Sequence, residues 1–153
     1  MKRAMVIGSV GAGKSTLIRA LLNEERPASK TQSLVFRDWL IDTPGEYCEN
    51  PLQYRFLIAT SFDTRLLVLV QDATRERSYF PPGFAGGFPV PSLGVVTKID
   101  SPKADMAKAK RFLRQAMPKG DIFEVSSMTL EGIEKLRERI ESLLQPKGKS
   151  DRG

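Results

Sequence analysis

Residues 8–15 read Gly-Ser-Val-Gly-Ala-Gly-Lys-Ser, a complete G-x-x-x-x-G-K-S phosphate loop. The apolar run Ala4-Met5-Val6-Ile7 leads into it, and a helix-patterned segment follows. In that setting Gly8, Gly11 and Gly13 permit a tight path that turns the backbone N–H groups of Ser9, Val10, Gly11, Ala12 and Gly13 around a phosphate. Lys14 is expected to reach the β- and γ-phosphates and Ser15 to place its hydroxyl on Mg²⁺, with Thr16 adding an α-phosphate contact at the helix N-terminus. The alternative, a glycine-rich strand-to-helix turn that binds nothing, leaves the match at all four specified positions without a reason.

Around this loop the chain is ordinary for a soluble globular protein. Its 153 residues are 41% apolar and 27% charged, enough for one domain with a proper core. No apolar stretch approaches a membrane span, and the first strand leads straight into the phosphate loop, so a cytoplasmic protein is expected. The single cysteine, Cys48, rules out an internal disulfide and reads as a small buried residue rather than a nucleophile. With no histidine in the sequence, proton transfer falls to carboxylates, substrate or water. The formal charge of +6 is spread along the chain, and its densest basic cluster, 103–114, reads as a solvated helix face. Nucleic acid is therefore not expected as a partner.

Strand and helix signals alternate, which predicts an α/β domain over 1–144 with a mostly parallel six-stranded sheet flanked by helices on both faces. Strands are expected near 3–7, 34–36, 39–41, 66–70, 93–96 and 122–125, the second and third forming a tight hairpin or one interrupted extended segment. Helices are expected over 14–23, 52–62, 103–117 and 130–144, with 24–32 and 45–50 as loops. Residues 145–153 read as a disordered basic tail.

Three further motifs fall where strands end. Asp42-Thr43-Pro44-Gly45 follows the third strand; its carboxylate can hold a Mg²⁺-bound water, and Gly45 can aim its N–H at a γ-phosphate. Thr31, in the preceding loop, is a candidate second Mg²⁺ ligand. Thr97-Lys98-Ile99-Asp100 follows the fifth strand: Asp100 can accept from N1–H and the 2-amino group of guanine, while the Lys98 stem lies along base and loop. Ser126-Ser127 follows the last strand and could reach the base, although taken by itself it reads better as an ordinary capping turn.

The order and spacing of these motifs resemble the small GTPase class of P-loop proteins over residues 2–144. More narrowly, Lys30-Thr31-Gln32, two short strands and then Ile41-Asp-Thr-Pro-Gly-Glu-Tyr47 resemble the EutP/PduV family, linked to ethanolamine- and propanediol-utilisation microcompartments. The resemblance implies a Ras-like P-loop fold, Mg²⁺ with GTP/GDP or ATP/ADP, and a place in the cytoplasm at a bacterial microcompartment. It also implies, for the ethanolamine branch, an ATP-dependent acetate kinase activity that the residues themselves do not disclose. Two positions depart from the GTPase pattern. Thr97 stands where asparagine is usual, and one hydroxyl does only part of what an amide does. Glu46 stands where many GTPases carry a water-orienting glutamine; it can serve as a base, repel the γ-phosphate, or be a solvated turn residue. No arginine finger is evident, although Arg26 and Arg37 lie in neighbouring segments.

Residues 79–91 hold Tyr79, Phe80, Phe84 and Phe88 among prolines and glycines. Such a loop either packs on its own core or docks on a partner, a shell protein or a second copy in a homodimer. Three readings of function follow: a hydrolase or switch using Lys14, Gly45 and Glu46 around the γ-phosphate, a small-acid kinase, and a non-catalytic module ordered by nucleotide.

Overall fold

The computed structural model describes residues 3–23, 35–37 and 39–145, the second of these segments in its backbone only. Among the described residues one sheet is built from β1 (Ala4–Ile7), β2 (Val35–Arg37), β3 (Leu40–Asp42), β4 (Leu66–Asp72), β5 (Ser92–Thr97) and β6 (Ile122–Glu124). Its order is β2-β3-β1-β4-β5-β6. Five strands run parallel, and β2 is an antiparallel edge paired to β3 with Phe36 opposite Ile41. The hairpin and the six-stranded, mostly parallel sheet agree with the sequence reading.

The strands are apolar without interruption because helices cover both faces, and their two-residue period sorts the side chains into two layers. Ala4, Val6, Leu66, Val68, Leu93 and Val95 face α1 (Lys14–Leu21) and α5 (Ile133–Leu144). Met5, Ile7, Leu67, Leu69 and Val96 face the opposite layer, which includes α3 (Tyr54–Ser61) and α4 (Met106–Ala116). All five parallel strands therefore end at one edge of the sheet, where open α/β folds place their ligands.

Element ends differ from the sequence reading for identifiable reasons. The first helix stops at Leu21, before Asn23 adopts a left-handed φ of 57°. The expected 45–50 loop contains the short helix α2 (Gly45–Glu49), and the expected 52–62 helix begins one residue earlier as a 3₁₀ turn, Pro51–Gln53, and continues as α3. Proline at the head of that turn sets its start, whereas the five residues of α2 are too few to show a helical period. Helix α4 starts at Met106 because the Asp105 carboxylate caps it, accepting from the Lys108 N–H at 3.0 Å. Helix α5 starts only after Leu130 and Gly132 have turned through positive φ. Strand β4 runs two residues beyond its apolar stretch, through Gln71 and Asp72.

The aromatic segment packs on its own chain. Phe80, Phe84 and Phe88 are buried; Phe84 stacks on Phe80 and Phe88 and meets Tyr54 edge-on at 5.3 Å. A 3₁₀ turn at Phe84–Gly87 folds the rings back onto the sheet. Of the two roles open to the loop, self-packing is realised, because burying these rings against Leu113 and Met117 removes more apolar surface from water than an exposed platform would. Phe84→Ala should therefore cost about 3 kcal/mol of stability in urea unfolding. A midpoint equal to wild type would show that the cluster contributes no core.

Candidate functional site

The phosphate loop leaves β1 at Ile7 and opens into α1 at Lys14. Within it the Ala12 N–H donates to the Ser9 carbonyl at 3.1 Å, and the Leu17 N–H closes the first helical turn on Gly13 at 2.9 Å. Three consecutive carbonyls accept from side chains outside the loop. Arg75 Nη2 donates to Val10 at 2.8 Å, Lys98 Nζ to Gly11 at 2.9 Å, and Thr97 Oγ1 to Ala12 at 2.7 Å. At Gly11, φ +79° would strain any side chain, and a Cβ there would stand 2.7 Å from Arg75 Nη2 and displace it.

At the helix end of the loop Lys14, buried to 6% exposure, forms an ion pair with Asp42, and the Ser15 hydroxyl lies 3.3 Å from the other Asp42 oxygen. Strand β3 delivers Asp42 to this point through its parallel pairing with β1, Val6 opposite Asp42. The next residue locks the register, as Thr43 Oγ1 donates to the Val6 carbonyl at 2.7 Å. Gly45 then packs directly on the loop, where a Cβ would come within 2.5 Å of the Val10 nitrogen. From the same short helix Glu49 accepts the Val10 N–H at 2.7 Å. Thr16 and Glu46 stand half-buried on α1 and α2, so Glu46 belongs to a helical first turn and not to a solvated turn.

Asp100 is exposed at the end of the turn that follows β5. That turn is tied to β6 through the Ile99 N–H, which donates to Val125 at 3.3 Å, and it strains Lys98 to φ 63°. Ser126 is buried in a capping turn. Its hydroxyl accepts the Thr129 N–H at 3.0 Å and its own N–H donates to Glu131 at 3.0 Å, while Ser127 is half-buried beside it. Thr31 and Arg26 lie outside the described residues, as do residues 146–153, and for Arg37 the backbone alone is described.

The donor set suits Mg²⁺ brought in by phosphates. One carboxylate and one hydroxyl, both hard oxygen donors, are what such an ion takes from protein, and among the described residues no cluster of three or more acidic, cysteine or histidine side chains offers an all-protein cage.

A family profile described as "Ethanolamine utilisation - propanediol utilisation" matches residues 1–142. The chain belongs to the PduV–EutP family. "Probable acetate kinase EutP" of Escherichia coli (strain K12) is 37% identical over 145 residues, covering 94% of this chain and 91% of that protein. "Propanediol utilization protein PduV" of Citrobacter freundii is 41% identical over 100 residues, covering 65% of this chain and 67% of that protein. Among solved structures, Methanosarcina barkeri Roco2 RocCORdC bound to GDP superposes with a TM-score of 0.64 at 22% identity, covering 94% of this chain and 49% of that one. A probable GTP-binding protein engB gives a TM-score of 0.62 at 20% identity, covering 93% and 98%. The fold of this PduV–EutP member is thus the Ras-like P-loop fold. No helix among its described residues is long and apolar enough to cross a membrane.

Sequence reasoning passed over Asp72, Arg75 and Glu49, which complete the surroundings of the loop. A signal for Asp72 was present: Gln71-Asp72 ends the continuous apolar run of β4 with two polar residues at the ligand-facing edge of the sheet. Burial would raise the Asp72 pKa, but hydrogen bonds from Lys98 and Thr74 outweigh it and hold the carboxyl below its ordinary value. The stability carried by these contacts is therefore present above the usual carboxylate range and lost on acidification.

Cys48 shows the opposite sign. Burial, reinforced by Glu49, pushes its thiol up to about 12. Between the ordinary thiol value of 9.0 and about 12 the unfolded chain releases a proton that the native protein keeps, so stability falls as pH rises through that window. Chemical unfolding from pH 8 upward should show this decline, and Cys48→Ala should make it shallower. Identical slopes for the two proteins would contradict the burial of the thiol.

Proposed function

We propose that this protein is a Mg²⁺-dependent nucleotide-binding P-loop protein that hydrolyses, or switches on, a nucleoside triphosphate in the cytoplasm, in association with a bacterial microcompartment of the ethanolamine- or propanediol-utilisation type. The observation that carries the reading is the convergence of Lys14, Ser15 and Asp42 at the helix end of a loop whose carbonyls are held by other residues. Lys14 would pair with the β- and γ-phosphates, Ser15 and Asp42 would hold Mg²⁺, and the loop N–H groups would line the phosphate chain. The ion, when bound, would neutralise charge on the phosphate oxygens. Asp100, exposed after β5, would receive the base, and guanine offers the donor pair a carboxylate takes best.

A second reading, transfer of the phosphoryl group to a small acid, is supported by the name "Probable acetate kinase EutP" carried by the Escherichia coli relative. Against it stands the helix α2, which brings Glu49 against the loop and carries Glu46 in its first turn, and so disfavours an anionic acceptor more than water.

Thermal melting with Mg²⁺ and either GDP or ADP at about 100 times the dissociation constant should raise stability by about 2.7 kcal/mol. For a chain of this length that is a shift of a few degrees. A shift confined to GDP supports the GTPase-like reading, an equal or larger one with ADP moves it to an ATP-using enzyme, and acetyl phosphate formed from acetate identifies the kinase. Lys14→Ala should fold and lose the shift; full retention would overturn the assignment of the loop.

A further inference from the structure

Asp72 and Arg75 fall in none of the motifs that point to nucleotide, yet together they organise the outer edge of the phosphate loop. Asp72, 2% exposed, is the last residue of β4. Its Oδ1 accepts from the Thr74 N–H at 2.8 Å and from the Thr74 hydroxyl at 2.6 Å, which fixes the turn after the strand. Its Oδ2 faces two cations, Lys98 Nζ at 2.8 Å and Arg75 Nε at 3.5 Å. Each cation passes a hydrogen bond onward to a different loop carbonyl, Lys98 to Gly11 and Arg75 to Val10.

We infer that Asp72 and Arg75 are positioning residues of the phosphate loop: the buried carboxylate holds both cations in place, and they hold consecutive carbonyls so that the loop is shaped before a polyphosphate arrives. This rests on the nucleotide reading given above. Its direction follows from covalent geometry. Across a trans peptide the carbonyl of one residue and the N–H of the next point opposite ways, and no cis bond occurs among the described residues. Holding the carbonyls of Val10, Gly11 and Ala12 on the side of β4 and β5 therefore turns the N–H groups of Gly11, Ala12 and Gly13 the other way, that of Ala12 onto the Ser9 carbonyl within the loop.

Two features set this arrangement apart from a merely structural tie. One carboxylate shared by two cations leaves a net positive charge behind the loop, which favours an anion in front of it. Arginine, moreover, does here what lysine cannot, since its planar fork contacts Asp72 through Nε and Val10 through Nη2 at the same time. A Cβ at Gly11 would displace the end of that fork.

Titration of a fluorescent nucleoside diphosphate with Mg²⁺ tests the inference on the full chain, using the diphosphate of whichever base the wild type prefers. Arg75→Ala and Asp72→Asn should each weaken binding about tenfold, as expected for loss of one charge-assisted hydrogen bond. Because Arg75 is partly exposed, Arg75→Ala should melt without nucleotide at the wild-type temperature, and Arg75→Lys should recover part of the affinity. Wild-type affinity in Arg75→Ala, or a loss that only tracks a lowered melting temperature, would overturn the positioning role alone. Failure of the wild type to bind any nucleotide would overturn the functional reading and this inference with it.

Discussion

The backbone of a phosphate loop must turn its N–H groups to one side, and a chain that does so has to find partners for the carbonyls on the other. Val10, Gly11 and Ala12 find theirs in Arg75, Lys98 and Thr97, each at ordinary hydrogen-bond distance. Where the contact is buried, as at Ala12, a carbonyl left unpaired would cost about 1–3 kcal/mol. The three donors come from the ends of β4 and β5, so the loop that follows β1 is held by the strands that flank the crevice. Sheet order and site geometry are in this sense one constraint: parallel pairing of β1 with β4 and of β4 with β5 brings these ends together.

The buried charges fit the same scheme. Lys14 and Asp42 are both almost inaccessible, and an isolated charge in either place would be strongly unfavourable, so each satisfies the other. Such a pair contributes little net stability compared with apolar packing, which argues that its retention serves the chemistry of the site rather than the fold. A magnesium–polyphosphate carries both signs of charge, so either partner can exchange its contact for one of equal kind without leaving the other bare. Asp72 differs in having two cations for one carboxylate, an excess that gives the back of the loop its positive character.

Much of this was legible in the sequence because it depends on local patterns. The G-x-x-x-x-G-K-S spacing places a loop between strand and helix, and the continuous apolar runs of β4 and β5 announce strands covered on both faces. Asp42, Thr97 and Lys98 follow from motifs at strand ends. What escaped was set by tertiary contact. Arg75 is one arginine among many in a basic chain, and nothing local marks the one whose fork reaches Val10. The helix α2 is too short to carry a period, and the inward turn of Phe80, Phe84 and Phe88 depends on a surface supplied by α4.

Thr97 illustrates how tertiary geometry can replace a side chain that a motif leads one to expect. An asparagine amide at this position could serve the loop with its N–H₂ and the base with its oxygen at once. The threonine hydroxyl donates to the Ala12 carbonyl at 2.7 Å and so does the loop half of that work. Its β-branched carbon also suits the end of β5, where the residue is buried and a stiff χ1 keeps the hydroxyl aimed. Under the proposed reading the remaining half, contact with a base, would rest on exposed Asp100 and the stem of Lys98. On that reading a loop held through Thr97, combined with a base held by fewer contacts, would make phosphate recognition the stronger and base recognition the weaker part of the site. That imbalance follows from one hydroxyl having one proton to give.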